Sequence, residues 1–255
     1  MTDAHVQFVG HATVFIELDG TCLVTDPVLR ERASGLVHRY PPDTAVFDRP
    51  IDAALISHLH HDHLDLGSLR MLRPGFEILI ANRGGPLLIR HGFPDTREMA
   101  AGQSTNVGNV QVTATYADHR GKRLGGPDAD TIGFVIEGSV RIYFAGDTDV
   151  FDDMARLRPI DLALLPVAGW GPRLGPGHMD PERAVQALRL LQPRIAVPIH
   201  WGTLAPWGLH RGSWSYLTQP ARLFAKLAQQ EVPEVDVQVL QPGETLTVAR
   251  EPVAT

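Results

Sequence analysis

The chain has 255 residues, of which 44% are hydrophobic and 20% charged, with 24 glycines, 20 prolines and one cysteine. This globular composition excludes a disordered or collagen-like chain, and Cys22 alone excludes an internal disulfide. A formal charge of −6 supplies no global basic field for nucleic acid or an anionic membrane surface.

Apolar, β-branched runs punctuated by Gly, Pro and Asp dominate the first half. Residues 12–18 and 21–25 flank Asp19-Gly20, a tight-hairpin signal. Further strands are predicted over 53–57, 78–81 and 110–116. Asp65 caps a short helix carrying Leu66, Leu69 and Leu72, which Pro74-Gly75 stops. A second hairpin, 131–136 and 140–144, turns at Gly138-Ser139, and strands follow over 162–167, 195–199, 235–240 and 245–248. Asp180-Pro181 opens a helix with Ala184, Val185, Leu188 and Leu191 on one face. Leu223, Phe224, Leu227 and Ala228 mark a last helix before Pro233. No linker and no internal repeat stands out, so residues 1–255 are expected to form one domain. Hairpins first and helices later predict two sheets face to face with helices outside, an α/β (α+β) architecture.

The longest apolar runs fall far short of the ~20 residues that span a bilayer. The first residues carry no basic n-region and no apolar h-region. The expectation is a soluble, cytoplasmic protein without stable membrane insertion.

Twelve histidines are the unusual feature. Ser57-His58-Leu59-His60-His61-Asp62-His63 fits H-x-H-x-D-H and follows a buried strand, and imidazole and carboxylate donors at this density suit two neighbouring cations. Other predicted strands also stop on such donors: Asp26 after 21–25, His119 after 110–116, Asp147 after 140–144, and His200 after 195–199. If these ends meet at one sheet edge, the donors converge.

These residues resemble the metallo-β-lactamase superfamily of dinuclear metal hydrolases over nearly the whole chain. Gly10-His11-Ala12-Thr13-Val14, Thr25-Asp26-Pro27-Val28 and Pro198-Ile199-His200-Trp201-Gly202-Thr203 are similar to its subgroup of N-acyl phosphatidylethanolamine-hydrolysing phospholipases D. The L-ascorbate 6-phosphate lactonase is a more distant likeness. The resemblance implies a four-layer αββα sandwich. It implies that His58, His60 and His119 hold one metal, that Asp62, His63 and His200 hold the other, and that Asp147 bridges them. Asp26 would orient a ligand from behind. Apart from the resemblance, His11 could hydrogen-bond near the metals, although a buried structural histidine fits as well. Two Zn²⁺ ions are the implied cofactors, with Mn²⁺ or Fe²⁺ as alternatives. Two aspartates and a bridging hydroxide would leave roughly one net positive charge at the site. The hydroxide, available near neutral pH, would attack a carbonyl or phosphoryl centre.

His178, delivered by Gly175-Pro176-Gly177 ahead of the Asp180 helix, is expected to contact substrate or leaving group. With Asp62 it forms the expected catalytic pair. His61 is expected to be a bystander. Trp201 is expected to line the substrate pocket, and Arg120, with Lys122 and Arg123, could receive an anionic group, although a solvated loop fits as well. No G-x-S-x-G, G-K-[ST], G-x-G-x-x-G or C-x-x-C is present.

The function expected is zinc-dependent hydrolysis of a phosphodiester, ester or lactone in a small or lipid-like molecule. The alternatives are a mononuclear-iron redox enzyme and a nuclease on the same fold. The partner is a small-molecule substrate, nucleic acid is not expected, and a homo-oligomer is left open.

Overall fold

Strand side chains point alternately to opposite faces, and here the alternation assigns neighbouring residues to two different cores. The computed structural model describes residues 3–121, 128–212 and 214–250. β1 (Ala4–Gly10), β2 (Thr13–Leu18) and β3 (Thr21–Thr25) run antiparallel. Asp19 and Gly20 both take positive φ, 50° and 79°, as a two-residue hairpin turn requires. Two short strands follow, β4 (Arg32–Ala33) and β5 (Leu36–His38). Next come β6 (Ala53–Ile56), α1 (Leu66–Leu69), β7 (Glu77–Ala81), α2 (Gly85–Arg90) and β8 (Thr96–Met99), with β3, β6, β7 and β8 parallel to one another.

The second half repeats this plan. β9 (Ser104–Val107), β10 (Val110–Tyr116), β11 (Ile132–Glu137) and β12 (Arg141–Phe144) are antiparallel. β13 (Leu162–Pro166), α3 (Pro181–Leu191), β14 (Ile195–Ile199), β15 (Leu204–Pro206), α4 (Ser215–Thr218), α5 (Pro220–Glu231), β16 (Asp236–Val237) and β17 (Thr245–Val248) complete the order. β12, β13, β14 and β16 are parallel. The two seven-stranded sheets read β17-β1-β2-β3-β6-β7-β8 and β16-β14-β13-β12-β11-β10-β9. This repetition of strand order has no counterpart in the residues, because the architecture constrains pairing and not identity.

Val6, Phe8, Ile16, Leu23 and Leu55 of the first sheet share one buried cluster with Val112, Phe134, Ile142 and Leu164 of the second. On the opposite face of the first sheet, Phe15, Val24, Ile56 and Ile80 pack with Leu69, Leu72 and Leu88 from the α1 and α2 region. Ala184, Leu188 and Leu191 of α3 and Phe224 and Ala228 of α5 cover the second sheet. Asp180 caps α3 by accepting from the Arg183 N–H, with Pro181 in the first turn. The result is the expected helix–sheet–sheet–helix sandwich. The strand expected over 235–240 is shorter than predicted, pairing only at Asp236 and Val237. β4, β5 and β15 form a third, three-stranded sheet that ties the segment after Asp26 to the loop after His200.

Candidate metal centre

Parallel strands carry their carboxyl ends to one edge. β3 leads into Asp26, β6 into Ser57 and His58, β12 into Asp147 and β14 into His200. Two joints are conformationally costly. Asp26 and His200 take φ of 34° and 62°, and His11 in the β1–β2 bend takes 55°; left-handed backbone at non-glycine residues is tolerated where the surroundings over-determine it. His11 and His200 are tied by the bond from His200 N to the His11 carbonyl, 2.7 Å.

Besides a three-donor group of Asp26, His58 and His63, two four-donor groups result, each with ligand atoms mutually within 4.8 Å. One is His58, His60, His119 and Asp147; the other is His11, Asp62, His63 and His200. Asp147 reaches across both. Its carboxylate lies 3.8 Å from His58 Nε2, 3.2 Å from His63 Nε2, 3.2 Å from His200 Nε2 and 3.3 Å from His178 Nε2. Asp62 Oδ2 lies 3.1 Å from His11 Nε2, 3.5 Å from His200 Nε2 and 3.7 Å from His63 Nε2.

The partners on the far side of each ring decide which nitrogen carries the proton. His200 Nδ1 donates to the Ala168 carbonyl at 2.6 Å and His119 Nδ1 to the Gly177 carbonyl at 2.9 Å. His63 Nδ1 donates to Asp26 Oδ2 at 2.7 Å. Ser57 Oγ spends its single proton on Asp26 Oδ2, 2.6 Å away, and therefore accepts from His58 Nδ1 at 2.9 Å. The Ser57 N–H also donates to Asp26 Oδ1 at 2.7 Å. Every Nε2 so fixed is a bare lone pair in the neutral ring. Burial would lower His63, but the charges of Asp147, Asp62 and Asp26 raise it well above its ordinary value, so without a metal its Nε2 takes a second proton where a cation would sit. His63 Nε2 and His200 Nε2 face each other at 3.0 Å. His58 Nε2 and Asp147 Oδ1 are buried without a hydrogen-bond partner. Converging lone pairs and carboxylates fit a cation between them, and the back-side bonds are of the kind that orient metal ligands.

Protonation follows from burial and neighbours. Desolvation drives His58 well below its ordinary value, His11 to about 3 and His119 to about 4, and it lowers His60. These rings are neutral donors near pH 7. Burial opposes ionisation of Asp147, but His200, His63 and the bond to His178 outweigh it and hold the carboxyl well below the carboxylate range. Asp62 behaves alike, held down against burial by His63 and His11. Burial alone would lower His178, but the hydrogen bond and charge of Asp147 raise it.

A cavity of about 530 Å³ opens over this floor, lined by His60, Asp62, Asp147, His178 and His200 below and by Leu36, Trp170, Leu174 and Pro206 on its walls. His178 lines its edge, its Nδ1 donating to the Gly175 carbonyl at 3.1 Å. Two expectations fail. Trp201 is buried away from the cavity, stacked on Phe8 at 6.3 Å with its Nε1–H on the Pro198 carbonyl. Trp170, four residues after Pro166, lines the cavity instead. Arg120 lies at a different depression, with Arg83, Tyr116 and Asp128, while Lys122 and Arg123 fall outside the described residues. His61, expected to be a bystander, lines the cavity and pairs its Nδ1 with Ser34 Oγ at 2.8 Å. Ser57 was missed. Its position between a buried strand and His58 is the one signal that could have singled it out.

Residues 21–201 match the family described as "Beta-lactamase superfamily domain", and the chain belongs to that family. Its fold and site define a metal-dependent hydrolase of the metallo-β-lactamase superfamily. Among individual proteins, it is 30% identical to N-acyl-phosphatidylethanolamine-hydrolyzing phospholipase D 1 of Caenorhabditis elegans, over 93% of this chain and 74% of that one. It is 32% identical to a metal-dependent hydrolase of Thermococcus kodakarensis, over 94% of this chain and 98% of the relative. Igni18, a metallo hydrolase from Ignicoccus hospitalis, shares the fold with a TM-score of 0.75 at 22% identity, over 98% of this chain and all of that one.

Proposed function

We propose that this chain is a dinuclear zinc hydrolase that cleaves a phosphodiester, ester or lactone bond in a small or lipid-like substrate. His58, His60 and His119 hold one ion, Asp62, His63 and His200 the other, and Asp147 bridges them; Mn²⁺ or Fe²⁺ suits the same donors less specifically. The observation that carries the reading is the crowding of His63 Nε2, His200 Nε2 and the carboxylates of Asp62 and Asp147 at 3.0–3.7 Å, with both Nδ1 protons engaged elsewhere. His11 stays outside the ligand set because its Nε2–H is the donor available to Asp62 Oδ2. Asp26 and Ser57 keep His63 and His58 in the ligating tautomer.

Bound ions supply Lewis acidity and bring the pKa of a water toward neutrality. The chain's own contribution is arrangement and proton handling. Asp62 and Asp147 remain ionised and offset the positive charge. His178 lines the cavity, holds a proton under the influence of Asp147, and delivers it to the leaving group. Trp170, Leu36 and Leu174 exclude water and favour an apolar substrate body. Similarity to the nematode phospholipase D supports the phosphodiester within this range.

The test is elemental analysis of protein purified without chelator and reconstituted, paired with turnover of bis(p-nitrophenyl) phosphate, a γ-lactone and a β-lactam. Two ions per chain with turnover of the phosphodiester or lactone is the expected result. No bound transition metal, or a single iron with oxygen-dependent turnover, overturns the reading.

A further inference from the structure

Arg173 is the one Lys or Arg among the described residues that line the cavity over the donor clusters. Several arginines elsewhere in the chain are committed. Arg30 forks onto Asp65, Arg39 onto the carbonyls of Gly202, His210 and Gly212, and Arg183 onto Asp149. No described residue forms an ion pair or a side-chain hydrogen bond with Arg173. It is exposed at the cavity wall, between Trp170 and Leu174 in sequence.

The segment that carries it is Gly169-Trp170-Gly171-Pro172-Arg173-Leu174-Gly175-Pro176-Gly177. Two prolines bracket Arg173 and fix φ at their own positions. The far end is pinned where the Gly177 carbonyl accepts from His119 and the Gly175 carbonyl accepts from His178. The near end is pinned where the Ala168 carbonyl accepts from His200. The same short span that holds three histidine rings therefore also carries a cation at the wall of the cavity.

We propose that Arg173 binds an anionic group of the substrate, a carboxylate or phosphate separate from the bond that is cleaved, while the apolar walls hold the body between the two. A planar guanidinium with unused donors matches either oxyanion bidentately. The otherwise apolar walls give a neutral substrate no reason to need this cation. The substrate class is thus an amphiphilic anion with an apolar middle. This inference rests on the hydrolase reading of the same cavity and narrows its substrate.

Calorimetric titration of the metal-loaded protein tests it with three probes of matched shape: 4-phenylbutyrate, phenethyl phosphate and the neutral 4-phenylbutanol. Arg173→Gln should weaken both anionic probes by about tenfold, the scale of a charge-assisted bond at a partly exposed site. The neutral probe should move less than twofold, and Arg173→Lys should recover part of the loss. Loss with only one anion identifies the source of the charge. Equal change for all three probes, or no change for either anion, overturns the proposal. The readout is binding, so it is separable from failure of the hydrolase reading, which would appear as absent turnover in the unsubstituted protein.

Discussion

The two sheets contribute to one centre but hold their side chains by different means. From the first sheet come His58, His60, Asp62 and His63, all within six residues, and one buried carboxylate, Asp26, fixes two of their rings, directly at His63 and through Ser57 at His58. From the second come His119, Asp147, His178 and His200 on four separate segments. There the rings of His119, His178 and His200 are fixed by main-chain carbonyls, those of Gly177, Gly175 and Ala168. A cluster on one strand end can share a single acid behind it. Dispersed donors take whatever carbonyl the crossing loop presents. The first half should therefore be sensitive to side-chain substitution behind the ligands, and the second to the backbone conformation of the 168–177 segment.

The largest effect should come where the halves meet. Asp147 touches His58 and His63 of one half and His178 and His200 of the other. Asp147→Ala should lose at least one ion and nearly all hydrolysis, measured by elemental analysis and turnover. His61→Ala should keep the full metal content, because no donor cluster includes it. Equal metal loss in both variants would mean that the assignment of donors to the two halves is wrong.

His178 belongs to the second half without being counted as a ligand. His178→Ala should retain both ions and lower turnover by roughly 10²–10⁴-fold if the ring is the proton donor. A rise in KM with kcat nearly unchanged would make it a substrate contact acting equally in ground and transition states. Loss of metal would move it into the ligand set.

Asp26→Asn probes the buttress of the first half. The amide can still accept from the Ser57 N–H, but it cannot satisfy both His63 Nδ1–H and the Ser57 hydroxyl as the carboxylate does. Metal affinity should fall by roughly 10–100-fold, the usual scale for such partners, and at both ions. Ser57→Ala should produce a smaller loss confined to the ion held by His58. Chelator competition with stepwise release distinguishes the two patterns, and identical losses would deny Asp26 its double role.

The same contrast explains what could be read in advance. The H-x-H-x-D-H run and the strand ends at Asp26, His119, Asp147 and His200 are local patterns of alternation, turns and donor spacing, and the order of hairpins and helices pointed to two facing sheets with helices outside. β10, β14 and β17 occupy the residues expected of them. β1 was legible, since Ala4, Val6 and Phe8 alternate inward against His5 and Gln7, yet it was not among the predicted strands. The carbonyl partners of the second half could not be read at all, because a main-chain oxygen carries no residue identity. Trp201 was misplaced for a related reason. Adjacency to His200 in sequence says nothing of side-chain direction where the backbone passes through a φ of 62°, and the indole turns onto Phe8 instead of the cavity.

The smallest of these effects isolates the backbone of the second half. Gly177 takes a φ of 79°, and a Cβ there would meet the Asp118 carbonyl oxygen at 2.8 Å, His119 Cα at 3.0 Å and His119 Nδ1 at 3.1 Å. Two of these three are main-chain atoms, which cannot swing aside as a flexible side chain would. Gly177→Ala should therefore displace the His119 segment and break the 2.9 Å bond that fixes its ring. Affinity for the ion at His58, His60 and His119 should fall by about tenfold, toward the low end for a lost back-side partner. The ion at Asp62, His63 and His200 should stay. Gly208→Ala is the control, because Gly208 also has positive φ, 93°, but a Cβ there meets nothing within 4 Å. It carries the left-handed penalty of about 1–2 kcal/mol without touching a ligand. Stepwise chelator titration and thermal unfolding of both variants decide the matter. If both destabilise the fold alike and only Gly177→Ala loses the first ion, the carbonyl buttress is what positions His119. If metal affinity falls equally in both, backbone strain alone accounts for the loss, and the two halves of the centre are not held differently after all.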